Sequence, residues 1–341
     1  MKKMKAAVCT EPKKIEMQEL DVPEPGPGEI LLQVKATGLC GSDVDGYLNK
    51  HPMIGYPIIL GHECAGTVAA LGAGVQSVAE GDEVIIEPFF ICGTCKDCRE
   101  GRYSFCQDLK IIGHQIPGSL AEYMVAQAMF AHPKPANLSF EEAAIAEPVT
   151  GALHAVKRCG VGIGDFVAII GCGTIGVMAM QHSLNAGAVV AVSDLSPHKL
   201  KVAGELGAHY PVKADDEDLH ARVMQLTGGR GADVVIEAVG EPETLAATVP
   251  LVRKGGTVML IGWSGNETDP FDMTNVTLRE LTVMGTMGFC WDHATSIGLL
   301  ARGAVKVAPI LSHRYPLEKV EEAIQLLHSG DPNVWKIAIT E

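Results

Sequence analysis

The chain has 341 residues, 47% of them hydrophobic, and a formal net charge of -14. That length suggests about two domains with an ample buried core, and that apolar content argues against disorder. A surface this acidic repels phosphate backbones and anionic lipid, which makes nucleic acid and membranes poor partners.

The N-terminal stretch MKKMKAAVCTEPKK is basic but has no apolar segment behind it. It does not read as a secretory signal, so a cytoplasmic protein is expected. Up to about residue 150 the texture is β-rich. Short apolar runs at 30–34, 65–70 and 83–86 are separated by Gly, Pro and Asp, and Pro23, Pro25 and Pro27 bracket an early turn. Beyond 150, short strands alternate with helical stretches: strand 166–170, helix 175–186, strand 189–193, helix 197–206, helix 219–226, strand 234–239, helix 242–252 and strand 257–261. Continuous apolar strands alternating with helices predict a parallel sheet covered on both faces. The longest nearly apolar run, 166–180, has 15 residues and three glycines, too short for a membrane span. After about residue 286 the pattern is mixed, with a helix at 317–327 and a last strand at 336–339. The expected organisation is α/β: a β-rich domain (1–150, with a lobe at about 88–107, and 286–341) split by an inserted doubly wound parallel sheet (151–285).

Four of the ten cysteines, Cys92, Cys95, Cys98 and Cys106, fall in CGTCKDCREGRYSFC with spacing C-x2-C-x2-C-x7-C. Four thiolates on one loop can surround a tetrahedral zinc. A ferredoxin-type cluster needs C-x3-C-P at its end, and here the last gap is seven residues with Gln107 following. Disulfides suit a secreted chain, which this one does not resemble. A closed site with four sulfurs leaves no position for chemistry.

A second set is mixed. Cys40 stands in GLCGSD, His62 and Glu63 in GHE, and Glu147 in AEP. A thiolate, an imidazole and carboxylates suit a zinc with one labile position. Each has a plain alternative: a small core cysteine, a satisfied turn histidine, a surface glutamate. Phe289, Trp291 and His114 are pocket-lining candidates without a spacing argument. Met178 and Met180 read as helix packing, Trp335 as an anchor of the last strand, and His182 as a helix-surface or core histidine. Cys9, Cys64, Cys159, Cys172 and Cys290 read as free thiols.

Gly171-Cys-Gly173-Thr-Ile-Gly176 follows a strand and opens a helix, and Asp194 closes the next strand. That context is what a dinucleotide fingerprint requires. Gly171 makes the turn, Gly173 admits the pyrophosphate, and Gly176 lets helix pack on sheet. The pyrophosphate lies on the helix N-terminus. Asp194 accepts from the ribose hydroxyls and repels a 2′-phosphate, favouring NAD over NADP. Lys199 weakens that preference. The expected cofactor set is Gly171, Gly173, Ile175, Gly176, Asp194, Lys199 and Ile261.

Together, GLCGSD, the glycine-spaced GHE segment, the four-cysteine loop and GCGTIG resemble, in order and spacing, the zinc-containing medium-chain dehydrogenase/reductase family along essentially the whole chain. The resemblance implies a GroES-like catalytic domain split by a Rossmann domain, two zinc ions per subunit, and a homodimer or homotetramer. Glu63 after His62 and Glu147 before Pro148 resemble the polyol dehydrogenase branch. By resemblance, Cys40, His62 and Glu63 hold the catalytic zinc, Glu147 binds it or holds its water, and Ser42 touches the substrate oxygen. Many relatives carry a relay histidine five positions after the zinc cysteine. Asp45 stands there instead, so either Asp45 takes that role or the proton leaves by another path. The expected activity is hydride transfer from a secondary alcohol, such as a polyol or sugar alcohol, to NAD. An amino-alcohol dehydrogenase of the L-threonine type, an NAD(P)H-dependent carbonyl reductase and an NAD-sensing zinc protein are the alternatives.

Overall fold

The strand Phe166–Ile170 is buried at every position, as a run of five apolar residues covered on both faces must be. In the computed structural model, which describes residues 2–216, 218–263, 265 and 271–340, the chain divides into two compact units. The first comprises Met1–Glu147, Cys290–Arg302 and Val307–Glu341, and the second Pro148–Phe289 and Gly303–Lys306.

In the first unit the strands Ala131–Pro133, Glu83–Ile86, Glu63–Leu71, Glu29–Gly38, Lys336–Thr340 and Leu311–Pro316 lie side by side in that order, with Tyr123–Gln127 also pairing with Glu29–Gly38. The last strand of the chain thus closes between two earlier ones, antiparallel to Glu29–Gly38 with Ala338 opposite Gly38. One apolar cluster, including Ile30, Leu32, Val68 and Ile86, fills the sheet interior. A second, including Leu39, Val44, Leu60 and Ile337, underlies the short helix Gly41–Tyr47. The hairpin of Lys3–Glu11 and Lys14–Asp21 escapes a reading by alternation. Its first strand buries four consecutive residues, Ala6–Cys9, and its second is exposed or half-buried throughout.

The second unit is a six-stranded sheet in the order Tyr210–Lys213, Val189–Asp194, Phe166–Ile170, Ala232–Glu237, Val252–Leu260 and Thr282–Gly285, every pairing parallel. Numbered along the unit this is 3-2-1-4-5-6, the Rossmann order, whose reversal lies at the C-terminal end of Phe166–Ile170. Three features depart from the sequence expectation. The helix Ala146–Cys159, not among the expected elements, runs across the expected boundary at 150; its Pro148 lies in the first turn, where proline is tolerated. The units divide after Glu147 and Phe289 rather than after 150 and 285. Residues 303–306 return to the second unit, where Gln181 pairs with both the N–H and the C=O of Lys306 and Asn185 holds the C=O of Ala304. Among the described residues no helix is long and apolar enough to cross a membrane.

Candidate active site

The strand Glu29–Gly38 runs out at Leu39, and Cys40 caps the helix Gly41–Tyr47. Asp43, in the first turn, reaches back: its Oδ2 accepts the Cys40 N–H at 2.9 Å and its Oδ1 accepts the Gly61 N–H at 3.0 Å. Gly61 has φ +90°, a left-handed conformation open to glycine, and a Cβ there would meet Ser119 Oγ at 2.8 Å. The chain therefore turns sharply at Gly61 and sets His62 Nδ1 3.6 Å from Asp43 Oδ1, ion-pair range but long for a hydrogen bond. Asp43 is completely buried. Burial pushes its pKa up, but the nearby His62 ring and the bond from the Cys40 N–H outweigh this and hold it below the ordinary value. Asp43 was not singled out by sequence. Its signal is the acid three residues after the cap, a capping-box position.

Cys40, His62 and Glu63 each offer one ligand atom, and these atoms all lie within 4.8 Å of one another. With Nδ1 facing Asp43, the other His62 nitrogen is the one available to an ion, the usual outer-shell arrangement. Glu63 is divided in use. Its Oε1 accepts from Lys336 Nζ at 2.5 Å, while Oε2 is buried and has no hydrogen-bond partner. Lys336 Nζ also donates to the Leu39 carbonyl at 2.8 Å. Room for Oε2 depends on Gly38, where a Cβ would stand 2.2 Å from it. A thiol, an imidazole and a carboxylate oxygen with no protein partner, in one buried pocket, fit a zinc ion that keeps a further position open. Glu147 is not among the three. It stands half-buried beside them, and burial, reinforced by Glu63 and Asp43 against His62 and Lys336, pushes its pKa up to about 7. Lys336 was missed by the sequence reading, although one lysine inside the apolar strand Lys336–Thr340 is itself a signal, since lysine is rarely buried unless paired.

Ser42 and Asp45 lie half-buried on the same short helix. The Asp45 carbonyl accepts the N–H groups of Lys50 and His51 at 2.8 and 3.3 Å, which turns the chain so that His51 returns toward the pocket. His51 stacks on His114 with ring centroids 4.7 Å apart and planes 9° from parallel, and His114 lies 5.2 Å from the His62 ring. Phe289 is buried, whereas Trp291 is largely exposed, its indole N–H donating to the Gly101 carbonyl.

The sulfurs of Cys92, Cys95, Cys98 and Cys106 also lie within 4.8 Å of one another. The short helix Lys96–Arg99 and the turn Tyr103–Phe105 fold them together. Cys92 and Cys106 sulfurs are 3.6 Å apart, far too long for a disulfide and close to the edge of about 3.8 Å that a tetrahedron of 2.3 Å zinc–sulfur bonds requires. Backbone N–H groups of Thr94 and Cys95 point at Cys92 and lower its pKa to about 6. Burial and the neighbouring thiols push Cys98 up to about 12.

In the second unit the three glycines separate by role. Gly171 has φ +93°, and a Cβ on Gly176 would stand 1.9 Å from the Gly171 carbonyl oxygen, so both are required by the turn itself. A Cβ on Gly173 would meet nothing within 4 Å. Nothing in the fold demands glycine there, whereas a ligand approaching the backbone would. Gly173 caps the helix Thr174–Asn185, which carries Ile175 half-buried in its first turn. Asp194 does more than end its strand: Oδ2 accepts the Cys172 N–H and Oδ1 the Ser196 N–H, both at 2.8 Å, so the acid also braces the glycine turn. Lys199 stands at the start of the helix Pro197–Glu205, its N–H capped by Ser196 Oγ, and the Ile261 N–H donates to the Glu237 carbonyl. Glu237, missed by sequence, is a fully buried carboxylate that gathers the Val239 and Gly240 N–H groups and the Thr244 hydroxyl.

A split β-rich unit bearing a thiol–imidazole–carboxylate pocket and a four-thiol lobe, with a Rossmann sheet inserted, defines a zinc-type alcohol dehydrogenase. Comparison with known proteins agrees. The alcohol dehydrogenase GroES-like domain profile matches residues 26–136 and the zinc-binding dehydrogenase profile residues 174–302. The chain is 33% identical to a sorbitol dehydrogenase of Bacillus subtilis over 94% of this chain and 93% of that one. It is 36% identical to an L-threonine 3-dehydrogenase of Pyrococcus furiosus over 96% of both. A zinc-binding dehydrogenase from Sinorhizobium meliloti, solved bound to NADP, superposes with a TM-score of 0.94 at 30% identity, covering all of both chains. The chain therefore belongs to the zinc-containing medium-chain dehydrogenase/reductase family, in its polyol dehydrogenase-like branch.

Proposed function

We propose that this protein oxidises a secondary alcohol of the polyol or sugar-alcohol kind with NAD as hydride acceptor. The observation that carries the reading is the divided use of Glu63: one oxygen fixed by Lys336, the other buried without a partner beside Cys40 and His62. Cys40, His62 and Glu63 would hold a zinc ion there, which would supply Lewis-acid chemistry toward the substrate hydroxyl, and NAD would supply the hydride acceptor.

This chain's residues supply the rest. Cys40, His62 and Glu63 hold the ion, and Asp43 fixes the His62 ring. Glu147, half-buried beside them, would hold the water or the substrate hydroxyl. Ser42 takes the hydroxyl proton and passes it outward past Asp45. Cys92, Cys95, Cys98 and Cys106 close a second, structural site. Gly171, Gly173, Ile175 and Gly176 receive the pyrophosphate, and Ile261 and Lys199 flank the cofactor. Asp194 receives the adenosine ribose, which is the reason to favour NAD, although the Sinorhizobium meliloti relative was solved with NADP. A homodimer or homotetramer in the cytoplasm is part of the same reading.

The test is NADH absorbance with a panel of alcohols, together with zinc analysis. Cys40→Ser is expected to lose activity and about one zinc per chain while retaining the other. Full zinc and full activity in Cys40→Ser would remove the assignment, and equal turnover with NADP would remove the NAD preference.

A further inference from the structure

His114 is the polar side chain in this pocket that the mechanism above leaves without work. It is 6% exposed, and neither ring nitrogen has a hydrogen-bond partner. A buried imidazole normally satisfies at least one nitrogen, as His182 does on the Val149 carbonyl. Leaving both unmade costs stability unless something else fills them.

The placement is built, not incidental. Gly113, with φ +77°, presses its backbone against Gly61, so that a Cβ there would stand 2.6 Å from the Gly61 carbonyl oxygen. Ser119 N–H donates to that same oxygen at 2.9 Å, and Gly118 N–H to the Ile59 carbonyl at 2.7 Å. The loop carrying His114 is thereby clamped to the turn that presents His62. On the other side, the His51 stack fixes the plane of the ring. His51 is itself anchored, its Nδ1 accepting the Met53 N–H at 3.3 Å. A neutral imidazole offers one donor and one acceptor. That pair matches a hydroxyl group, which both donates and accepts.

We propose that His114 is a specificity-determining residue that hydrogen-bonds a hydroxyl on the carbon next to the one oxidised, so that the substrate is an uncharged polyhydroxylated alcohol. The inference rests on the reading that Cys40, His62 and Glu63 form the catalytic centre. Charge supports the uncharged class. A zinc dication would be balanced by the Cys40 thiolate with Glu63, and Lys336 is one cation against the two carboxyl groups of Asp43 and Glu147, which leaves no positive surplus to hold a substrate carboxylate or phosphate.

Three probes share the oxidised CH(OH)CH3 end: butan-2-ol, butane-2,3-diol, which adds a hydroxyl on the neighbouring carbon, and L-threonine, which carries an ammonium in place of that hydroxyl and a carboxylate in place of the terminal methyl. The zinc-loaded wild-type protein with NAD is expected to prefer the diol over butan-2-ol by about tenfold or more in kcat/KM, and over threonine as well. His114→Phe keeps the ring and the stack and removes both nitrogens. It should bring the diol to butan-2-ol ratio close to one, and His114→Asn should restore part of the ratio. An unchanged ratio in His114→Phe overturns the proposal, and so does a wild-type preference for threonine. Oxidation of none of the probes would instead count against the parent reading. In that event 15N spectra of the imidazoles during butane-2,3-diol titration still decide: a shift of the His114 nitrogens supports the proposal and its absence overturns it.

Discussion

Replacing Lys336 by methionine tests the centre of the pocket most directly. Lys336 and Glu63 are 3% and 0% exposed at their side chains, and the 2.5 Å contact joins the last strand to the start of Glu63–Leu71. At an effective dielectric near 20 their attraction is on the order of 7 kcal/mol, most of it offset by the cost of taking both ions out of water. Methionine fills a similar volume, so the loss is electrostatic. In zinc-stripped protein, the form to be titrated, it strands the Glu63 charge in a buried pocket beside Glu147, and deleting one partner of such a pair typically costs about 3–5 kcal/mol. Trp335, the neighbouring residue and 5% exposed, reports unfolding of this unit by fluorescence. Urea titration followed at that tryptophan should show a loss of that size for Lys336→Met. Adding Glu63→Gln should recover much of it, because the buried charge is then gone. A loss below about 1 kcal/mol, or a double variant as unstable as the sum of the singles, would refute the view that the ion pair holds Glu63 in place.

Other perturbations separate binding from folding. Gly173→Ala should leave thermal stability nearly unchanged and weaken cofactor binding at least tenfold, measured by NADH fluorescence, whereas Gly176→Ala should lower both, since its Cβ would strike the Gly171 carbonyl. Cys106→Ser should reduce metal content from roughly two to roughly one zinc per chain by elemental analysis. His182 is neutral in the fold because burial lowers its pKa to about 4 from 6.5. The unfolded chain therefore binds the extra proton between those values, and stability is full above pH 6.5 and falls as pH drops toward 4, by about 3 kcal/mol from this group. Chemical unfolding as a function of pH should show a shallower acid slope in His182→Leu than in the wild type.

The glycine turn and the four-cysteine loop were legible in the sequence because their chemistry is local. Gly171, Gly173 and Gly176 act within six residues, and the thiols of Cys92–Cys106 meet through one short loop, so spacing alone carries the geometry. The strand and helix periods of the second unit were legible for the same reason, hydrophobic patterning being a local record of which face is buried. The catalytic pocket was legible only as a set of suspects. Cys40 and His62 are 22 positions apart, and what joins them, Asp43 bonding both Cys40 and Gly61, is an ordinary aspartate until the chain folds. Lys336 lies 273 positions from Glu63 and meets it only because the final strand inserts beside Glu29–Gly38. His114 stood out in sequence only as a pocket-lining candidate without a spacing argument, and its two unpartnered nitrogens exist only once burial has removed water from them. The sequence by itself thus marked the glycine turn, the four-cysteine loop and the strand–helix alternation of the second unit. Tertiary structure decided which polar groups are satisfied and which are left facing a ligand, because that depends on long-range contacts and on solvent exclusion, neither of which a local pattern encodes.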